Sequence, residues 1–265
     1  MYSPFQLALK YLRYYVTASN SKGHGMHSPF VYRFIRELLL DRKDYPEYRI
    51  VEQLRRKLKA DKRMLEVADF GAGSRAGGPG TRSVGSIAAH AAKPAKYGQL
   101  LFRMARRYRP QVILEMGTSL GLTTAYLSLA DPRARVYSLE GAPAVAAIAR
   151  ENFAGVGLEN ISLVEGNFDD TLAPVLDQLE KVDLGFIDGN HREEPTTRYY
   201  RQILAHTHND SILVFDDIHW SPEMEAAWEA IRNDPAVRCS IDLFFVGIVL
   251  FRKEFREKQH FSIRF

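Results

Sequence analysis

From Gln111 onward, five short apolar runs, VILEM, VYSLE, ISLVE, VDLGFI and SILVF, alternate with stretches of helical periodicity, and this alternation restricts the fold more than any other feature. Short apolar runs between helical segments read as buried strands, and strands joined by crossover helices lie parallel. The sequence therefore predicts an α/β domain over residues 110–265: a doubly wound, mostly parallel sheet of seven strands. The stretch IDLFFVGIVLFRK holds two adjacent strand-like runs hinged near Gly247, which predicts an antiparallel hairpin finishing that sheet.

The first 109 residues read differently. Phe5, Ala8, Leu9, Leu12, Tyr15 and Val16 fall at helical spacing, as do Phe30, Val31, Phe34, Ile35, Leu38 and Leu39. Ser28-Pro29 is a helix start, with a capping residue followed by proline at the first helical position. Ile50, Val51, Leu54 and Leu58 share a third helical face, with Arg55-Arg56-Lys57 on the other. These stripes predict core or subunit contact, and further helices are expected at Val84–Ala92 and Ala95–Tyr108. The net charge of +4 hides an asymmetry: residues 1–109 carry 22 Lys+Arg against 8 Asp+Glu, and residues 110–265 carry 14 against 24. Such a split separates a basic helical region, expected to act as substrate cap, lid or oligomerisation surface, from the α/β domain.

Ile113-Leu114-Glu115-Met116-Gly117-Thr118-Ser119-Leu120-Gly121 is a strand running into a glycine-containing turn, followed by a helix over Leu122–Leu129. Glycines there let the backbone approach a ligand, and the helix start offers unpaired N–H groups. Glu140 ends the next predicted strand, 23 residues after Gly117, where a carboxylate can hold both hydroxyls of a ribose. A second glycine-rich stretch, Asp69-Phe70-Gly71-Ala72-Gly73-Ser74, fails the same criterion, because no Asp or Glu lies between Asp69 and Glu115. It also lacks the GK[ST] ending of a phosphate-binding loop, so residues 71–80 are expected to form a structural turn or a lid.

Residues from about 109 to 252 resemble the class I S-adenosylmethionine-dependent methyltransferases, in particular the branch of catechol-type and macrocin-type O-methyltransferases. LEMGTSLGLTT is similar to that branch's first motif, with glycines spaced ExGxxxG. VYSLEG, VEGNFDD, FIDGNH and VFDDIHW follow in the order of the remaining motifs. The resemblance implies that Glu115, Gly117, Thr118, Ser119 and Gly121 form the turn that holds the methionine part of S-adenosylmethionine. It further implies that Glu140 and Gly141 serve the ribose, that Asn167 and Phe168 flank the adenine, and that Asp188 lies beside the cofactor.

Asp188 follows VDLGFI, and Asp216 with Asp217 follows SILVF. On neighbouring parallel strands these would bring three carboxylates together at one sheet edge, and three anions call for a counterion. Mg²⁺ or another hard divalent cation, leaving positions open for a substrate oxygen, is the expected neutraliser. The resemblance points the same way, although Asp-Asp stands here where the catechol type has Asp-Asn. His191, three residues beyond Asp188, stands where the catechol type has a lysine base. An imidazole suits removal of a hydroxyl proton near neutrality, and His219 in DDIHW is the second candidate base.

The resulting expectation is an S-adenosylmethionine-dependent methyltransferase acting on a small-molecule hydroxyl with divalent metal assistance, with Asp188, His191 and His219 in the chemistry. A nucleic-acid methyltransferase using the basic region is the alternative, but no NPPY-like tetrapeptide occurs, and Cys239 stands alone where pyrimidine-carbon chemistry needs a cysteine pair. A non-catalytic S-adenosylmethionine-binding protein is a further alternative, against which the retained acidic residues argue. A nicotinamide enzyme would need a GxGxxG fingerprint after the first strand. No apolar run reaches membrane-spanning length and no signal-peptide pattern opens the chain, so a cytoplasmic protein is expected, without membrane attachment and compatible with a homodimer.

Overall fold

The computed structural model describes residues 1–19, 28–67, 80–90 and 93–265. Its helices are α1 (Pro4–Thr17), α2 (Pro29–Phe34, continued by a π turn at Ile35–Leu39), α3 (Pro46–Lys59), α4 (Val84–His90), α5 (Ala95–Tyr108), α6 (Leu122–Ala130), α7 (Pro143–Val156), α8 (Phe168–Asp177), α9 (Glu193–Leu204) and α10 (Pro222–Asn233). The strands are β1 (Met64–Val67), β2 (Gly80–Ser83), β3 (Val112–Met116), β4 (Arg135–Glu140), β5 (Ile161–Glu165), β6 (Leu184–Ile187), β7 (Ile212–Asp216), β8 (Cys239–Asp242), β9 (Val246–Leu250) and β10 (Gln259–Ser262). Eight of them form one mostly parallel sheet in the order β10-β8-β9-β7-β6-β3-β4-β5. Sequence reading expected seven strands. The additional one is β10, a polar QHFS segment without an apolar run, which pairs parallel with β8 from Gln259↔Cys239 to Ser262↔Asp242.

The chain divides into two compact units, Lys43–Glu180 and Met1–Arg42 with Lys181–Phe265. In the first, β3 pairs with β4 and β4 with β5, all parallel. β3 is buried along its whole length, Glu115 included. α5 approaches α6 closely enough that a Cβ on Gly98 would meet the Tyr126 ring at 2.5 Å. Tyr48, Phe102 and Tyr126 pack edge to face beside them, with ring centroids 5.1 and 5.9 Å from Tyr48. Part of the basic charge is consumed in this packing. Arg55, expected on the solvent face of α3, is buried and donates to Glu52 at 3.0 Å, because Glu52 also accepts from the Tyr126 hydroxyl. Buried Arg103 donates to the Tyr48 hydroxyl at 3.2 Å. Residues 1–109 are also less purely helical than expected, since β1 and β2 form a separate antiparallel pair from Met64↔Ser83 to Val67↔Gly80. The glycine-rich turn or lid expected at residues 71–80 lies, apart from Gly80, outside the described residues.

In the second unit, β6 pairs parallel with β7, and β9 runs antiparallel to both β7 and β8. The expected hairpin is present, but its turn is Leu243–Phe245. Gly247 lies inside β9 instead, because the Trp228 ring occupies the place of a side chain: a Cβ there would meet Trp228 carbons at 2.6 Å. α1 is held by the C-terminal segment, through a hydrogen bond from the Tyr14 hydroxyl to the Ile263 carbonyl and a bridge between Ser19 and Ile263. It buries Tyr14, while Phe5, Leu9, Leu12, Tyr15 and Val16 of the expected stripe are exposed. Among the described residues no helix is long and apolar enough to cross a membrane. Cys239 is buried, which pushes its thiol pKa up to about 12 and leaves it unsuited to nucleophilic chemistry.

Candidate functional site

The turn after β3 is built on left-handed backbone: Gly117 has φ +102°, Ser119 +49° and Gly121 +81°. Gly121 starts α6 in that conformation, and a Cβ there would meet Phe153 at 2.4 Å, so glycine is required twice over. The Gly117 and Thr118 N–H groups both donate to the Leu139 carbonyl, at 2.9 and 3.1 Å, which ties the turn to β4. Glu140, at the end of β4, accepts from the Ser119 N–H at 2.8 Å through one oxygen and from the Ala142 N–H at 2.9 Å through the other. Its carboxylate thus joins the turn to the start of α7 across Gly141.

Beneath the turn lies Glu115, fully buried, whose Oε2 accepts from the Thr124 hydroxyl at 2.5 Å and the Ser138 hydroxyl at 2.6 Å. Ser138 shares a 2.6 Å hydrogen bond with the Thr118 hydroxyl. Glu115 therefore braces β3, β4, the turn and α6 from below. Sequence reading missed the role of Ser138 and Thr124, because buried hydroxyls in a strand and a helix carry no motif of their own. Asn167 caps α8 by accepting from the Asp169 N–H at 3.1 Å, and Phe168 is the first residue of that helix.

At the end of β6, the Asp188 carboxylate lies 3.4 Å from Nε2 of His191. Between them the backbone is again left-handed, with Asn190 at φ +66° and His191 at +44°. Such non-glycine conformations cost on the order of 1–3 kcal/mol each and cluster at functional sites. Asn190 donates to the Tyr199 hydroxyl at 3.3 Å, while its buried Oδ1 has no hydrogen-bond partner among the described residues. The tolerance of Asn for this backbone was the only sequence signal that could have singled it out.

The three-carboxylate cluster expected of Asp188, Asp216 and Asp217 does not assemble. Among the described residues, no group of three or more His, Cys, Asp or Glu side chains is placed to hold a metal ion. Asp216 is still within β7, paired with Val246 and 2% exposed, whereas Asp217 leaves the strand at φ +52° with its N–H on the Phe245 carbonyl.

His219 also departs from expectation. Its Nδ1 lies 2.9 Å from Glu225 and its Nε2 2.9 Å from Asp242. Glu225 also accepts from the Tyr2 hydroxyl at 2.6 Å and from the Lys10 ammonium at 2.9 Å. Burial disfavours the charged imidazole, but the Asp242 and Glu225 carboxylates outweigh it and raise the pKa above the ordinary 6.5. With both ring nitrogens engaged, His219 clamps α1 and α10 to the end of β8 and is not placed as a base.

Residues 114–218 match the methyltransferase domain family Methyltransf_24. Catechol O-methyltransferase B of Danio rerio is 35% identical over 95 residues, a match covering 34% of this chain and 36% of that enzyme. Among solved structures, the O-methyltransferase TomG from Streptomyces achromogenes, in complex with S-adenosylmethionine, aligns with a TM-score of 0.57 at 18% identity, over 84% of this chain and 95% of its own. The O-methyltransferase from Bacillus cereus, in complex with S-adenosylhomocysteine, aligns with a TM-score of 0.55 at 18% identity, over 83% of this chain and 97% of its own. At that identity the likeness is one of fold. With the strand order and the turn after β3, the matches establish that residues 114–218 belong to the methyltransferase domain family, on the class I fold.

Proposed function

We propose that the protein is an S-adenosylmethionine-dependent O-methyltransferase acting on a small-molecule hydroxyl. The observation that carries this reading is the Glu140 carboxylate, held at the end of β4 by the Ser119 and Ala142 N–H groups beside a turn in which only glycine fits at position 121. Two backbone donors fix its direction, and a carboxylate held so at a strand end suits the two hydroxyls of a ribose. Asn167 and Phe168, at the start of α8, are assigned to the adenine. The likeness to S-adenosylmethionine-bound TomG and to catechol O-methyltransferase B supports the same choice of cofactor and acceptor chemistry.

When bound, S-adenosylmethionine supplies a methyl group activated by its sulfonium, open to in-line attack by an oxygen. Asp188 and His191 are assigned to the acceptor. Asp188 orients the His191 imidazole, which takes the hydroxyl proton as the oxygen becomes nucleophilic. The left-handed backbone at Asn190 and His191 holds that loop in one shape, so the imidazole is presented without a search. Among the described residues Asp188, Asp216 and Asp217 are not placed together as a group that could hold a metal ion.

Titration calorimetry with S-adenosylhomocysteine tests the cofactor half. Micromolar binding is expected, and Glu140→Ala should weaken it about 10- to 100-fold through the loss of charge-assisted hydrogen bonds. Unchanged affinity in that variant would remove the ribose assignment.

A further inference from the structure

α1 is apolar on two opposite sides. On one side Leu7, Tyr11 and Tyr14 pack on Phe244 and Phe245, with the Tyr11 and Phe244 rings 5.0 Å apart. On the other, Phe5, Leu9, Leu12 and Val16 are 72%, 51%, 58% and 68% exposed. At 3.6 residues per turn the second set points directly away from the first. Its spacing of four, three and four residues is that of a seam along which one helix packs on another. A helix apolar on both sides belongs in an interior, yet among the described residues only one side of α1 is covered by its own chain.

We infer that a second copy of this chain covers the outer stripe, with the two α1 helices crossing antiparallel about a two-fold axis. Such an axis requires a self-complementary patch. The stripe satisfies it: Phe5 of one copy meets Val16 of the other, large against small, and Leu9 meets Leu12. With neighbouring Met1, 56% exposed, these side chains present roughly 500 Å² of apolar surface per copy, at the top of the range for a monomer's largest patch. Doubled, that is roughly 1,000 Å², the threshold of a specific but modest interface.

Charge favours the same occupant. α1 has two cations and no acidic residue, and Lys10 is turned inward onto Glu225, leaving only Arg13 outside the inner face. A helix built to lie on an anionic membrane flanks its apolar face with several Lys and Arg.

Sedimentation velocity on the full chain from about 1 to 100 µM should show a reversible dimer with a micromolar dissociation constant. The Leu9→Glu, Leu12→Glu double variant should be monomeric throughout that range, with an unchanged circular-dichroism spectrum because both positions are exposed. A mixture of Leu9→Lys and Leu12→Glu chains should recover dimers, since the antiparallel crossing sets position 9 against position 12. A wild-type chain monomeric at 100 µM, a dimer indifferent to the double variant, or failure of the mixed chains to pair would overturn the inference. So would a monomer that floats with phosphatidylcholine–phosphatidylserine vesicles through this stripe.

Discussion

Replacing His219 by Phe keeps the ring against Phe244, whose centroid is 5.1 Å away, and removes both links to carboxylates. Each charge-assisted hydrogen bond contributes roughly 1.5–3 kcal/mol. The loss is below the sum, because Glu225 keeps Tyr2 and Lys10, and Asp242 keeps the Phe244 N–H at 2.8 Å. A net destabilisation of about 3 kcal/mol follows, which for a chain of this size lowers Tm by about 6–12 °C. The sign with pH is fixed by the raised pKa of His219. The stabilisation is complete below 6.5, its unfolded value, and is lost as pH rises through the folded value. Burial works against ionised Glu225, but its bonds to Tyr2, Lys10 and His219 hold its pKa below 4.5, so its own share is lost only as pH falls through that depressed value. Scanning calorimetry of both proteins from pH 5 to 9 should show the largest gap near pH 5–6, closing toward pH 9. A gap that is constant or widens with pH would refute the imidazolium clamp. Equal Tm values throughout would remove it altogether.

Gly121→Ala must accept both a left-handed φ and a contact with Phe153, so a loss of about 2–4 kcal/mol is expected by urea denaturation, together with weakened S-adenosylhomocysteine binding. Gly247→Val should be more damaging to the fold than to the cofactor site, since the Trp228 ring has no room to retreat; a soluble variant with wild-type Tm would contradict the packing. Glu115→Gln keeps the size of a fully buried group and replaces one carboxyl oxygen with an amide donor. It should lower Tm by several degrees while leaving Glu140 able to bind nucleoside, measurable by calorimetry against the wild type. With a phenolic acceptor that turns over, His191→Ala should lower kcat about 10²- to 10⁴-fold and remove the acidic limb of the pH profile; an unaltered profile would exclude it as the base.

The sequence by itself determined the parts of this protein that rest on local pattern. Apolar runs in alternation with helical stretches specified β3 to β7 and their crossovers, because a parallel sheet buried on both faces leaves few other arrangements. The glycines at 117 and 121 and the acid at 140 were legible for the same reason: a tight turn and a strand end leave a mark at a fixed distance along the chain. What only the tertiary structure decided depends on which groups meet across long separations. β10 has no apolar run and becomes a strand through its pairing with β8. Gly247 looked like a hinge, and it is the approach of Trp228 that demands it. His219 read as the second candidate base after His191, yet contacts with Asp242 and Glu225, with Tyr2 and Lys10 behind the latter, turn it into a clamp. Asp188, Asp216 and Asp217 read as one cluster along the chain, whereas among the described residues no group of three such side chains is placed to hold a metal ion. The stripe on α1 predicted contact, and the folded chain turns the opposite side of the helix inward, since Phe244 and Phe245 come from a turn more than two hundred residues away.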